Sequence, residues 1–210
     1  MRDKYQEDLE KLNANILKMG KMIEIAIEST VIALMGRDVQ AASTVSENDE
    51  AIDNMEREIE ALCMKLLLQQ QPVATDLRVI TAALKMVTDM ERIGDHAADI
   101  AELVLQIPDC KYNKMDTITE ISTQIIKMIH DSVNSFIQRN YDKAQIVIAQ
   151  DDIVDNLYHE IKSDLIQKIK KTDDGEQILD YLLIARYFER IGDHATNIAK
   201  WVVFAITGKK

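Results

Sequence analysis

The residues best suited to chemistry are four pairs of acidic residues, the two members of each pair lying four positions apart. The pairs are Asp49 and Asp53, Glu91 and Asp95, Asp151 and Asp155, and Glu189 and Asp193. Residues four apart on an α-helix lie about 40° apart around its axis, so both carboxylates of a pair project from one face. Oxygen ligands of this kind suit hard cations such as Mg²⁺, Ca²⁺, Mn²⁺ or iron.

The spacing also predicts that the pairs face one another. Asp49 and Asp53 lie as far before Pro72 as Glu91 and Asp95 lie after it. If the chain turns at Pro72 into an antiparallel helical hairpin, these two pairs are level. The other two pairs are likewise centred on position 172, in a second predicted turn. Because like charges four apart destabilise a helix by a few tenths of a kcal/mol, opposed pairs favour a cation between them. The alternative is a solvated acidic face without metal.

An internal repeat dictates the architecture. The sequence ERIGDHA at 91–97 recurs at 189–195, and the acidic segment 49–54 corresponds to 151–156. The chain is therefore a tandem duplication, and we predict repeats at 1–107 and 108–210 with the boundary at Pro108. Each repeat contains three amphipathic patterns joined by short breaks, which predicts an all-α fold of two tandem three-helix bundles. The six predicted helices span 3–36, 38–71, 73–107, 115–139, 142–171 and 175–207.

Residues beside the acidic pairs differ between the repeats. Three acidic residues of the first repeat, Glu56, Glu60 and Glu102, are replaced in the second by Tyr158, Lys162 and Lys200. Each replacement removes negative charge, so we predict that the first repeat binds cations more strongly.

Other positions in the duplicated segment have structural interpretations. Gly94 and Gly192 stand inside predicted helices, where Gly costs about 1 kcal/mol relative to Ala, and this suggests close approach of a neighbouring helix. His96 and His194 project about 100° from the adjacent aspartates, which favours a structural role over metal ligation. Asp38, Asp116 and Asp142 are predicted helix N-caps.

Composition excludes several classes of protein. Six Gly and two Pro in 210 residues are few for a strand-rich fold. A net charge of −11 argues against nucleic acid as a ligand. The N-terminal residues lack the apolar run of a signal peptide, and no segment is apolar over the roughly 18 residues of a membrane span. A cytoplasmic location is expected.

Taken together, segment 71–78 (QPVATDLR), both copies of ERIGDHA and both Asp-x-x-x-Asp elements resemble the PhoU family of phosphate transport accessory proteins. The resemblance covers nearly the whole chain. It implies two three-helix bundles with metal bound by the eight acidic residues. It does not fix the identity of the metal, for which iron, manganese and magnesium are the candidates. It further implies a negative regulator of the phosphate-starvation response. Its partners would be the ATPase subunit of the phosphate ABC transporter (PstB-like) and a PhoR-type sensor histidine kinase.

Two other functions remain open at this point. A carboxylate-bridged metalloenzyme would need histidine ligands at Glu-x-x-His spacing, which the sequence lacks. A metal-free helical scaffold would leave the acidic pairs solvated. We expect a protein without enzymatic turnover that forms a homodimer.

Overall fold

The computed structural model describes residues 2–36, 38–69, 74–107, 115–171 and 175–209. Over these residues the chain forms six α-helices, and no strand occurs in the same ranges. The helices are α1 (Arg2–Gly36), α2 (Val39–Gln69), α3 (Ala74–Gln106), α4 (Met115–Gln138), α5 (Tyr141–Ile169) and α6 (Gly175–Thr207). The predicted all-α class is confirmed, and the helix ends agree with the predicted ones to within two residues. The predicted turns at 71–72 and 172–174, and the repeat boundary at Pro108, lie outside the described residues.

Side-chain N-caps explain where helices α2 and α5 begin. The Asp38 carboxylate accepts hydrogen bonds from the amides of Gln40 and Ala41 at 3.0 and 3.1 Å, which confirms it as the N-cap of α2. The same prediction was wrong for Asp142, which lies in the first turn of α5. Asn140 caps that helix instead, since its side chain accepts from the Lys143 amide at 3.0 Å. Asp116 is likewise a first-turn residue of α4 and not its cap.

The six helices pack as two three-helix bundles, α1–α3 and α4–α6, joined by two antiparallel contacts. One contact lies between α3 and α6, and the other between α1 and α4. Their buried Ile, Leu, Met and Ala side chains form a single continuous core. The predicted apolar seam of α2 is confirmed, with Ile52, Met55, Ile59, Leu62 and Leu66 all buried. In the described ranges, no helix carries an apolar stretch of the length that crossing a bilayer requires.

One glycine in each bundle allows two helices to approach closely. A Cβ placed on Gly94 of α3 would lie 3.1 Å from two side-chain carbons of Ile52 in α2. A Cβ on Gly192 of α6 would lie 2.9 Å from Cγ1 of Val154 in α5. Both distances are shorter than ordinary carbon contacts, so the predicted close helix approach is confirmed at both positions.

A polar cluster lies in the contact between α3 and α6. His194 Nδ1 lies 2.8 Å from Oδ1 of Asp89 across this contact. The ring of His96 lies 5.3 Å from that of Tyr187, and its Nδ1 lies 3.3 Å from Oδ2 of Asp99. Burial lowers the pKa of His96. Both histidines thus contribute to the junction of the two repeats, in agreement with the structural role predicted for them.

Candidate metal centre

The acidic pairs of the first repeat lie together beside the core, and we call these residues acidic cluster one. Helix α2 provides Asp49 and Asp53, and helix α3 provides Glu91 and Asp95. One carboxylate oxygen each from Asp49, Asp53 and Asp95 lies within 4.8 Å of the other two. All three side chains are half-buried. The predicted level placement of the pairs across the α2–α3 hairpin is therefore observed in this repeat.

Packing of the apolar seam of α2 against α3 brings these carboxylates close to one another. Ile52 is buried between the two aspartates of α2 and lies directly against Gly94 of α3. Since Gly94 has no side chain, Oδ1 of Asp49 comes within 3.6 Å of the place where its Cβ would stand. Asp95, the next residue along α3, then lies opposite the α2 pair.

The electrostatic strain in cluster one is considerable. Burial, followed by the charge of Asp95, raises the pKa of Glu91 to about 7. Burial, followed by the charges of Asp95 and Asp53, raises the pKa of Asp49. Oδ1 of Asp49 is buried and has no hydrogen-bond partner among the described residues. An unpaired oxygen among like charges is costly, and a hard cation is the group that would satisfy it.

The cations that pair with cluster one among the described residues, Arg57 and Arg92, are exposed. Arg92 pairs with its own helix neighbours, at 2.8 Å to Asp95 and 3.4 Å to Glu91. Arg57 Nη2 lies 3.4 Å from Asp53. Ion pairs in contact with water contribute under about 1 kcal/mol, so cluster one keeps most of its repulsion. Glu91, held toward Arg92, lies next to the three clustered aspartates but is not one of them.

We call the equivalent residues of the second repeat acidic cluster two. Helix α5 provides Asp151 and Asp155, and helix α6 provides Glu189 and Asp193. Here Thr196 donates a hydrogen bond of 2.9 Å to Asp151. These four residues, all described, do not form a group of three carboxylates as close as that of cluster one.

Pairing with cations also distinguishes cluster two. Glu189, although buried, forms an ion pair with Arg186. Burial raises the pKa of Asp151, but the Thr196 hydrogen bond and the charge of Lys200 act against that rise. Asp193 is exposed. In cluster two, hydrogen-bond donors and cations of the protein therefore offset part of the carboxylate charge, as a metal ion would in cluster one.

A neighbouring pair of residues has changed together between the repeats. In the first repeat, a hydrogen bond from Thr88 lowers the pKa of Glu56, although burial raises it overall. The corresponding residues of the second repeat are Arg186 and Tyr158. The Arg186 guanidinium carbon lies 5.9 Å from the centre of the Tyr158 ring, and Lys162 Nζ lies at the same distance from that centre. The contact between a hydroxyl and a carboxylate in the first repeat is thus replaced by a cation–π contact in the second.

Sequence reasoning missed Arg186 and Thr196. Both lie just outside the duplicated ERIGDHA segment, at positions occupied in the first repeat by Thr88 and Ala98. The signal was present, because Arg186 lies three residues before Glu189, within reach on one helix face. Comparison of residues flanking the duplicated segment would have found both.

Comparison with known proteins places the chain in a family. The PhoU domain model matches twice, at residues 16–104 and 118–202. A phosphate-specific transport system accessory protein PhoU homologue from Clostridium acetobutylicum is 39% identical over 98% of this chain and 95% of its own. The crystal structure of PhoU from Pseudomonas aeruginosa superposes with a TM-score of 0.92 at 32% identity, covering 98% of this chain and all of that one. The phosphate transport system regulatory protein PhoU from Streptococcus pneumoniae has a TM-score of 0.92 at 26% identity over 98% of both chains. This chain belongs to the PhoU family.

Proposed function

We propose that this protein is a regulatory adaptor of phosphate uptake and a negative regulator of the phosphate-starvation response. The support is its similarity, over nearly its whole length, to relatives named phosphate-specific transport system accessory proteins. A solved relative of the same fold is titled a phosphate transport system regulatory protein. These names describe accessory and regulatory proteins, and we propose no turnover for this one.

The adaptor would act in the cytoplasm between two partners. One is the ATPase subunit of the phosphate ABC transporter, and the other is a PhoR-type sensor histidine kinase. The net charge of −11 supports protein partners with basic surfaces over nucleic acid. A homodimer is part of the proposal, and light scattering of the purified protein tests it.

The adaptor would use metal ions held by its acidic clusters. Asp49, Asp53, Glu91 and Asp95 would hold one ion, and Asp151, Asp155, Glu189 and Asp193 a second, weaker one. The observation that carries this part is the close triad of aspartates with its unpaired Asp49 oxygen. Iron, manganese and magnesium all accept such ligands. A cation joining α2 to α3 would neutralise the flank and stabilise the bundle that docks on a partner.

A deletion strain tests the regulatory role. Without this protein, alkaline phosphatase should be expressed even at high phosphate, and the wild-type gene should restore repression. A triple variant, Asp49→Asn with Asp53→Asn and Asp95→Asn, should restore it only in part. Full repression by the triple variant would separate regulation from metal, and normal repression in the deletion strain would reject the regulatory role.

Metal binding is tested on the purified protein. Elemental analysis after gentle purification, followed by titration of the chelator-treated protein with Mn²⁺, should give binding that the triple variant lacks. Absence of binding in the wild-type protein would identify it as a metal-free scaffold.

A further inference from the structure

A cavity separate from both acidic clusters lies where the two repeats meet. It has a volume of about 250 Å³ and is bounded by residues of α1, α3, α4 and α6. On α3, its residue Val79 precedes Glu91 by three helical turns. With a rise of 1.5 Å per residue, Val79 lies about 18 Å from Glu91 along α3, and Val202 lies about 13 Å from Asp193 of cluster two along α6. The cavity is therefore not part of either acidic cluster.

The cavity wall is part apolar and part polar. Leu9 and Val79 come from the first repeat, and Phe136, Val202 and Ala205 come from the second. Phe136, Val202 and Ala205 are buried members of the core. The volume corresponds to about eight water molecules at roughly 30 Å³ each, which is enough for a short hydrocarbon chain. The apolar part of this wall would take up an apolar group.

The polar part of the wall carries a single charge. Among the described lining residues, Arg139 is the one charged side chain, although the protein as a whole is strongly acidic. Gln6, Asn13 and Thr75 supply hydrogen-bonding groups beside it. Burial, followed by the charge and the hydrogen bond of Asp76, raises the pKa of the Tyr5 hydroxyl beside the cavity, and the charge of Arg139 opposes that rise. The guanidinium and the Asp76 carboxylate therefore both act at this side of the cavity. A cation, two amides and a hydroxyl are the groups that recognise an oxyanion.

The backbone at Arg139 is unfavourable for an arginine. This residue has φ +51°, in the left-handed region that a side chain disfavours. Its amide donates to the Phe136 carbonyl at 3.2 Å, and the Asn140 amide donates to the Ser135 carbonyl at 2.9 Å. This is the helix-ending motif that glycine usually occupies. An arginine where glycine fits better is an outlier of the sort found at binding sites.

From this geometry we propose that the cavity binds a small organic anion. Its carboxylate or phosphate head would pair with Arg139 and the neighbouring polar groups. Its apolar chain, of about six carbons, would lie against Phe136 and Val202. Because helices of both repeats form the wall, such a ligand joins the two repeats at the end remote from the α5–α6 hairpin.

Titration calorimetry with hexyl phosphate and hexanoate tests the proposal. At least one of these should bind, and the stronger of the two identifies the head group. Inorganic phosphate and hexanol each lack one half of the ligand and should bind at least about tenfold more weakly. Arg139→Gly removes the guanidinium while suiting the backbone, and should weaken binding about tenfold or more. Lys170→Gly is the matched control, because it also places glycine at a helix end and removes one positive charge. It should leave affinity unchanged.

A second variant fills the cavity from the other side. Ala205→Leu adds apolar volume at the wall and should abolish binding while the melting curve stays cooperative. Three results would overturn the proposal: no binding of either anion at about 10 mM, equal binding by wild type and Arg139→Gly, or equal binding by a folded Ala205→Leu variant. If Ala205→Leu fails to fold, the comparison of Arg139→Gly with Lys170→Gly decides alone.

Discussion

Acidic cluster one and acidic cluster two come from one duplicated segment, yet their carboxylates have different neighbours. In cluster one, Asp49 is surrounded by negative charge that includes Glu102. In cluster two, burial raises the pKa of the corresponding Asp151, but a hydrogen bond from Thr196 and the charge of Lys200 oppose that rise. The ligand-like residues are all retained, and in cluster two Oε2 of Glu189 is also buried without a hydrogen-bond partner among the described residues. The close triad of aspartates belongs to cluster one, so the electrostatic reason to recruit a cation is stronger in the first repeat.

The comparison teaches that retained carboxylates do not alone define a metal site. The charge around them determines whether a metal ion is needed, since internal cations can neutralise the same groups. In cluster two, Arg186 is already paired with Glu189.

Removal of ligands should give the largest effect. Asp49→Asn with Asp95→Asn takes away two members of the close triad, so the affinity of the chelator-treated protein for Mn²⁺ should fall by about 100-fold. The matched pair, Asp151→Asn with Asp193→Asn, should change the tight binding by less than about threefold. Calorimetric titration measures both. Equal losses from the two double variants would contradict the comparison.

Exchange of neighbours should convert cluster two into a better site. Arg186→Thr with Lys200→Glu gives the second repeat the residues found at the equivalent positions of the first, Thr88 and Glu102. Loss of two opposing cations and gain of one carboxylate should strengthen Mn²⁺ binding at the second site about tenfold. Lys127→Glu, on the exposed face of α4, adds negative charge elsewhere and is the control. A similar gain from that control would mean that overall charge, and not the local pairing, is responsible.

The two bundles should differ in how well they tolerate a methyl group added at their buried glycines. Gly192→Ala places a Cβ 2.9 Å from Val154 Cγ1, on a stiff side chain, and should lower the free energy of unfolding by about 1 kcal/mol. Gly94→Ala meets Ile52 carbons at 3.1 Å, and its better helix propensity, worth about 1 kcal/mol, should nearly cancel the crowding. Urea denaturation in the presence of chelator measures both. A larger loss at Gly94 would show that the first bundle is the more tightly packed one.

The smallest effect is expected from pH. The pKa of Glu91 is about 7 in the fold against 4.5 for the free side chain, so the folded state holds its proton more tightly. The associated stability is fully present below pH 4.5 and is lost as pH rises through 7. The full shift corresponds to about 2.5 kcal/mol between pH 5 and pH 8, and screening by the water that reaches this half-buried group reduces it to about 1 kcal/mol. The melting temperature of the metal-free protein should therefore fall by about 2–3 °C over this range.

Two additions make the pH measurement specific. Glu91→Gln should reduce the fall, whereas Glu120→Gln, at an exposed position of α4, should not. Saturating Mn²⁺ should also reduce it, because the ion favours the ionised carboxylates. An unchanged fall in Glu91→Gln would assign the pH dependence to other groups.

Much of the fold could be predicted from sequence. The buried seam of α2 follows from apolar residues at intervals of three and four, and the duplication extends the argument to the other repeat. The level placement of Asp49 and Asp53 with Asp95 follows from counting residues on either side of a turn. These features are regular along the chain, so local periodicity records them.

The remaining features depend on contacts between distant parts of the chain. An amphipathic pattern shows that α3 buries a face but not that α6 covers it, so the shared core was not predicted. Arg139, with its left-handed backbone, directly precedes Asn140, and Asn140 caps α5. Asp142 has an equally suitable side chain, so the sequence alone did not distinguish the two. The cavity beside Arg139 depends on four helix ends meeting, and no single segment encodes that.

The junction between α3 and α6 is no longer symmetrical. Asp89 holds His194 on one side, whereas the residue equivalent to Asp89 on the other side is Tyr187, which stacks near His96. Two copies of the first half would set an aspartate beside each histidine, and two copies of the second half would set a tyrosine there. The contacts at this joint therefore combine one residue pair from each arrangement, and an isolated half would not reproduce them by associating with itself.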